Sequence, residues 1–131
     1  MRKALFLLFW VSGAKAFCAN GTELLHWCKA AFLEHPTPES FILQGQCVGY
    51  IAGALDSYDE WRAALDYGTK YPSGNICAPE HIQNEQMMRV VLKYLNDNPA
   101  KLHLPASGLV TSAFIRAFPC KQPSDSEEKR N

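Results

Sequence analysis

The sequence predicts a small all-α domain of four helices held by two disulfide bonds. Four segments repeat apolar residues every three or four positions, as one face of a helix does, and no segment shows the alternation typical of a strand. Prolines and capping residues separate these segments. Five cysteines follow an N-terminus that resembles an export signal, which indicates disulfide bonds formed in an oxidising compartment.

The first 16 residues of the 131-residue chain are predicted to be a cleaved signal peptide. Arg2 and Lys3 precede the apolar run 4–11, and an Ala-x-Ala cleavage site ends at Ala16. The run is about half of the ~20 residues that a membrane-spanning helix requires, so an N-terminal anchor is the weaker alternative. A lipoprotein signal is weaker still, because a large aromatic residue precedes Cys18.

Removal of this leader changes the charge balance. The whole chain has 13 basic and 13 acidic residues, and the remaining part has ten basic and 13 acidic residues, a net charge of −3. A nucleic-acid partner requires a basic face, so we predict none. No later stretch is apolar enough to insert stably in a membrane. The all-α domain is expected over residues 17–120, and a disordered polar tail over residues 121–131.

The first helix is predicted over residues 20–33. Asn20 is a favourable N-cap, and Glu23 stands three residues later, as in a capping box. Pro36 forces a turn after the helix. The apolar stripe consists of Leu24, Leu25, Cys28, Ala31 and Phe32.

The second helix is predicted to begin with Thr37 as its cap and Pro38 at its first position, and to run to about residue 67. Gly49 and Gly53 lie four residues apart within it, and each costs about 1 kcal/mol relative to alanine. We therefore expect a neighbouring helix to approach closely at these glycines. The apolar face consists of Cys47, Tyr50, Ile51, Ala54, Leu55 and Tyr58.

The third and fourth helices are predicted over residues 84–97 and 105–118, and each is followed by a proline. Trp27 is expected in the core, and Trp61 in the core or at a subunit interface. The residues expected to face inward are Met87, Val90, Val91, Tyr94 and Leu95 in the third helix and Leu109, Val110, Ala113, Phe114 and Ala117 in the fourth.

Helix geometry narrows the pairing of the cysteines. Cys28 lies late in the first helix and Cys47 in the first half of the second, so an antiparallel hairpin brings them together. Cys77 precedes the third helix and Cys120 follows the fourth, so these ends are neighbours if the two helices are antiparallel. The predicted pairs are Cys28–Cys47 and Cys77–Cys120, each stabilising the fold by about 3–4 kcal/mol. Cys18 is left free or paired between subunits.

The segment 66–75 (DYGTKYPSGN) is the strongest candidate for a partner-binding loop. Aromatic side chains on a loop suit this role, because they bury a large area at low entropic cost. The alternative is that both tyrosines fold back onto the core. The connection 97–104 is a second candidate surface. The predicted partner-binding residues are Asp66, Tyr67, Lys70, Tyr71 and Asn75.

The sequence contains no recognisable catalytic or metal-binding pattern. The histidines are scattered without metal-ligand spacing, and no cysteine has an obvious histidine partner. The acidic run of Asp56, Asp59, Glu60 and Asp66 is typical of a solvated helix face, with a partner-facing patch as the alternative. We therefore predict no enzymatic activity, no metal and no cofactor. The histidines are His26, His35, His81 and His103.

The order of the motifs resembles a known family. The motifs are Gly21, Leu24, Leu25 and Cys28; C-x-G-Y-I-x-G-x-x-D from Cys47 to Asp56; Cys77-x-Pro79; V-V-x-x-Y-L from Val90 to Leu95; and A-F-P-C ending at Cys120. Over residues 21–120 this combination is similar to the immunity proteins of type VI secretion amidase effectors, the resistance-associated or Tai-like proteins. Gln83, where the third helix usually starts with Ser or Thr, and the additional Cys18 depart from the family pattern.

The resemblance implies a periplasmic all-α protein that binds and blocks a peptidoglycan amidase. It also implies a homodimer and a loop that enters the cleft of the toxin. A different class of function is a periplasmic acid-stress chaperone, which exposes apolar surface when its carboxylates are protonated. Hydrolysis of peptidoglycan by the chain itself would be a third possibility, and no pattern in the sequence supports it.

Overall fold

The computed structural model describes residues 18–65 and 76–120. These ranges contain no β-strand beyond two isolated bridges, so the predicted all-α fold is confirmed. The elements are the α-helices Gly21–Ala30 (α1), Pro38–Leu65 (α2), Asn84–Asp97 (α3) and Ala106–Ala117 (α4), with a short 3-10 turn at Pro99–Lys101 between α3 and α4.

The predicted capping box starts α1. The Asn20 side-chain oxygen accepts hydrogen bonds from the backbone N–H groups of Thr22 and Glu23, at 2.9 and 3.1 Å. The Glu23 carboxylate in turn accepts the Asn20 N–H at 2.9 Å. These bonds satisfy backbone donors that a helix start otherwise leaves without partners. The helix ends at Ala30, earlier than the predicted residue 33.

Thr37 caps α2 as predicted, through a reciprocal pair of bonds with Ser40. The Ser40 N–H donates to the Thr37 hydroxyl at 3.2 Å, and the Thr37 N–H donates to the Ser40 hydroxyl at 2.8 Å. With 28 residues, α2 is about 42 Å long, whereas α1 has ten residues. The C-terminal half of α2 therefore extends past the short helix to which it is paired.

The other two helices have nearly the predicted bounds. Helix α3 begins after Gln83, whose side chain makes no capping bond, in agreement with its poor capping chemistry. Helix α4 begins one residue late, because Pro105 occupies the N-cap position.

All four helices contribute to one core. Met88 is buried and Met87 is half-buried, so the inward face of α3 is rotated slightly from the prediction. Ala117 is exposed, so its predicted inward position is wrong. Trp27 is half-buried and packs against the core. Its ring meets the Tyr50 ring edge-to-face, with 5.9 Å between the ring centroids. The buried core cluster consists of Leu24, Cys28, Cys47, Ile51, Met88, Val91, Leu95, Ala106, Leu109, Val110, Ala113 and Phe114.

Both predicted disulfides are present. Cys28–Cys47 joins α1 to α2, and Cys77–Cys120 joins the segment before α3 to the end of α4; the Cα atoms are 5.0 Å apart in each pair. Cys18 is exposed and outside any disulfide. Each bond thus closes one helical hairpin, and the two hairpins pack together around the core.

Candidate functional site

The first candidate surface surrounds the two points where segment 66–75 leaves and rejoins the described fold. On the α2 side, Trp61 lies one turn before the helix end and is 65% exposed. Of its two predicted places, the core is therefore wrong, and the subunit interface stays a prediction. A large aromatic side chain held on a helix is a typical interface anchor, because little conformational entropy is lost on binding.

On the other side, the chain rejoins the fold at a covalent clamp. Ile76 forms an isolated antiparallel bridge with Pro119, and the Cys77 N–H donates to the Phe118 carbonyl at 2.8 Å. The Cys77–Cys120 disulfide closes the same junction. A bridge, a backbone hydrogen bond and a disulfide thus fix residues 76 and 77 to the end of α4.

Segment 66–75 therefore connects a helix end to a clamped junction. Fixed ends restrict the conformations of a connecting segment and lower the entropy that it loses on binding. The predicted partner-binding residues lie in this segment, outside the described residues, and their role stays a prediction. They are Asp66, Tyr67, Lys70, Tyr71 and Asn75.

The second predicted surface, the connection 97–104, is tied to the start of α1. The carbonyls of Leu102 and Leu104 accept the N–H groups of Thr22 and Gly21, both at 3.1 Å. Directly after the connection, the Ala106 N–H donates to the Ala19 carbonyl at 2.8 Å. Much of the connection's backbone is thus used inside the fold. The apolar side chain of the connection that a partner could contact is Leu104, which is 40% exposed. It lies beside a depression of about 410 Å³ between α3 and α4.

The outer face of α2, the side turned away from the core, differs from the prediction. No atom lies within 4 Å of where a Cβ would stand on Gly45, Gly49 or Gly53. The expected close approach of a neighbouring helix at Gly49 and Gly53 is therefore wrong within the described residues. The three glycines together cost α2 about 3 kcal/mol relative to alanine, and no contact within the described chain offsets this cost.

Two large apolar residues lie on the same face of α2. Phe41 is 61% exposed and Ile42 is 66% exposed. Sequence reasoning missed both, because it followed the inner stripe of the helix and left the other side unexamined. The signal was available, since residues 41–55 contain no charged residue and only two glutamines, whereas a surface helix normally has a polar outer face.

The described residues contain no cluster of side chains that could bind a metal ion. All four histidines are exposed, and no group of three or more His, Cys, Asp or Glu side chains in residues 18–65 and 76–120 could hold a metal ion. Asp56, Asp59 and Glu60 are exposed on α2, which agrees with the predicted solvated face. None of the helices in the described ranges combines the length and hydrophobicity needed to cross a membrane.

Comparison with known proteins identifies a family over most of the described chain. A search of curated proteins finds no match. The family model for Rap1a immunity proteins matches residues 20–120. The matched range begins at the N-cap of α1 and ends at the last disulfide cysteine, so it includes all four helices and both staples. The chain therefore belongs to the Rap1a family of immunity proteins, which act against type VI secretion effectors.

Proposed function

We propose that this chain is a periplasmic immunity protein that binds a peptidoglycan amidase effector and blocks its active site. The family match over residues 20–120 carries the immunity role. The amidase target comes from the resemblance of the motifs, and the periplasmic location from the leader pattern at residues 1–16 together with two disulfides.

The proposed mechanism is steric occlusion. Segment 66–75 would enter the cleft of the effector while Trp61, one turn before it, packs beside the entrance. The clamp at Cys77–Cys120 supports this role, because it holds the return end of the segment against the core. Protection from a lethal hydrolase calls for nanomolar binding, which corresponds to about 12 kcal/mol.

A chaperone switched by acid finds less support. Such a switch needs carboxylates whose protonation disrupts the native packing. Every Asp and Glu side chain in residues 18–65 and 76–120 is exposed, and the ion pairs Glu85–Arg89 and Lys93–Asp97 lie at the surface. Exposed pairs of this kind contribute little to stability, so their loss would not open the core.

The first test is capture of the cognate effector. The exported chain should co-purify with a small amidase encoded beside it and should abolish its hydrolysis of purified peptidoglycan. A chain that binds such an effector without slowing hydrolysis would contradict steric occlusion. Cleavage of peptidoglycan by the chain alone would contradict an immunity role.

The second test separates the two candidate surfaces. Trp61→Ala, and replacement of residues 66–75 by a Gly/Ser segment of equal length, should each weaken effector binding by at least about tenfold, as expected for interface anchors. Leu104→Ala, a matched truncation of an exposed apolar residue, should leave affinity unchanged. The reverse pattern, measured by calorimetry, would move the interface to the connection 97–104.

We also propose that the chain works as a homodimer, as the resemblance implies. Free Cys18 is one possible link between copies, but exposure alone does not favour it over a non-covalent contact.

A further inference from the structure

The outer face of α2 carries exposed apolar side chains at one end and glycines along its length. Five residues lie on one side of this helix, because they are adjacent or three to four positions apart. They are Phe41, Ile42, Gly45, Gly49 and Gly53. All five are exposed. The opposite side carries buried residues such as Cys47 and Ile51, so the outer face is free of the chain's own core.

We propose that the outer face of α2 packs against the outer face of α2 in a second copy of this chain, with the two helices antiparallel. The inference rests on the homodimer proposed above and adds its surface and orientation; the identity of the effector does not enter.

The shape of the face favours a second copy over another occupant. Its N-terminal end is bulky, with Phe41 and Ile42, and its C-terminal end is narrow, with Gly49 and Gly53. A helix that fits this taper must be narrow where this one is bulky and bulky where this one is narrow. The same helix turned end to end meets both requirements.

The register follows from the two ends. If Phe41 and Ile42 of each copy cover the Gly49–Gly53 region of the other, the helices cross near residues 46 and 47. Beside the glycines, a depression of about 520 Å³ between α2 and α4 offers room for the large side chains. Glycine at the crossing allows helix axes to approach within the 8–10 Å typical of packed helices. The depression is lined by Gly49, Tyr50, Gly53, Ala54, Ser57 and Ser107.

Charge does not decide the orientation. Asp56, Asp59 and Glu60 are exposed on the C-terminal half of α2, and Glu39 is exposed in its first turn. In a parallel pair, these carboxylates would face their own counterparts, and in the antiparallel pair the first three lie near Glu39 of the other copy. The antiparallel orientation therefore rests on the shape of the face.

Sedimentation equilibrium of the exported chain without effector tests the contact. All variants carry Cys18→Ser, so that a disulfide between copies cannot contribute. The parent chain should be dimeric at micromolar concentration, and Gly49→Leu should raise its dimer dissociation constant at least about 100-fold. Gly108→Leu is the matched control, because Gly108 is another helical glycine with no atom within 4 Å of its Cβ position. It should leave the dimer intact.

Folding does not confound this comparison. Open space surrounds Gly49 in the single chain, and leucine is a better helix former than glycine, so far-UV circular dichroism should show an unchanged fold. Phe41→Ser provides a second disruption at the other end of the face. A parent chain that stays monomeric, or a dimer that tolerates both variants, would overturn the proposal.

Orientation is measured separately with spin labels on Ala63→Cys in the same background, because Ala63 is exposed and outside the lining of the depression. The antiparallel crossing places these positions about 50 Å apart along the helix axes, from a rise of about 1.5 Å per residue. A parallel pair would place them about 10 Å apart, which would overturn the orientation. A monomeric chain that still captures the effector would refute this interface and leave the immunity role standing. A chain that forms this dimer but captures no effector would refute the immunity role and leave this interface standing.

Discussion

Gly21 is placed where no side chain fits. A Cβ at this position would lie 2.5 Å from the Leu109 side chain and 2.9 Å from the Leu102 backbone. Its N–H also donates to the Leu104 carbonyl at 3.1 Å. The start of α1 can therefore lie directly on the connection before α4 because this residue is glycine.

We expect Gly21→Ala to lower the free energy of unfolding by about 1–3 kcal/mol, because the added methyl group must displace backbone as well as a side chain. Urea denaturation measures the change. Gly108→Ala is the control, since its surroundings are open, and it should be neutral or slightly stabilising. Equal midpoints for both variants would contradict the packing argument.

At this scale the sequence predicted local partners and missed distant ones. The bonds between Asn20 and Glu23 were predictable, because both partners lie in one helical turn. The need for glycine at position 21 was not predictable, because the atoms that exclude a side chain there belong to Leu102 and Leu109, far along the chain. Met88 was missed and Ala117 was misplaced, because periodicity gives the direction of a helix face to within about one residue.

Helix α2 illustrates what one element contributes. Its start is fixed by the exchange of hydrogen bonds between Thr37 and Ser40, and Ser40 is the one buried polar side chain in the described ranges. Its inner side carries one half of the Cys28–Cys47 disulfide. Near its C-terminal end, Trp61 is exposed at the candidate binding surface. Capping, core packing and presentation of the site thus depend on the same helix.

Thr37→Ala should destabilise the protein by about 1 kcal/mol through loss of the cap. Ser40→Ala should cost a similar amount, and the double variant less than the sum, because both residues act in one pair of bonds. Ser57→Ala is the control, since its hydroxyl bonds only to the Gly53 carbonyl within the same helix. Thermal unfolding measures all four variants, and additive effects would contradict a shared cap.

For the molecule as a whole, disulfides and helix periodicity together predicted the architecture. Each cysteine pair was inferred from where its members lie on helices, and a helical hairpin leaves few alternatives. The outer face of α2 was not predicted, because its glycines contact no other element in residues 18–65 and 76–120. Residues that contact a partner follow the shape of that partner, and their own sequence carries a weaker signal.

Removal of Cys77–Cys120 by paired alanine substitutions should lower the unfolding free energy by about 4 kcal/mol, from the entropy of a loop closed across 43 residues. This disulfide is a suitable test of the loop-closure entropy, because its removal takes little volume from the core. Cys77 is exposed and Cys120 is half-buried. Urea denaturation of the variant and of the parent chain, both without reductant so that Cys28–Cys47 stays intact, supplies the comparison. A loss below about 1 kcal/mol would indicate residual structure in the unfolded chain.

Neither disulfide crosses segment 66–75. One lies wholly within residues 18–65 and the other within 76–120, so that segment is the sole covalent tie between two stapled hairpins. Cutting the chain there should yield two pieces that separate on a denaturing gel without reductant, yet stay associated in native buffer through the shared core. The two hairpins could then be secreted as separate polypeptides, and recovery of toxin resistance would report their reassembly inside a living cell.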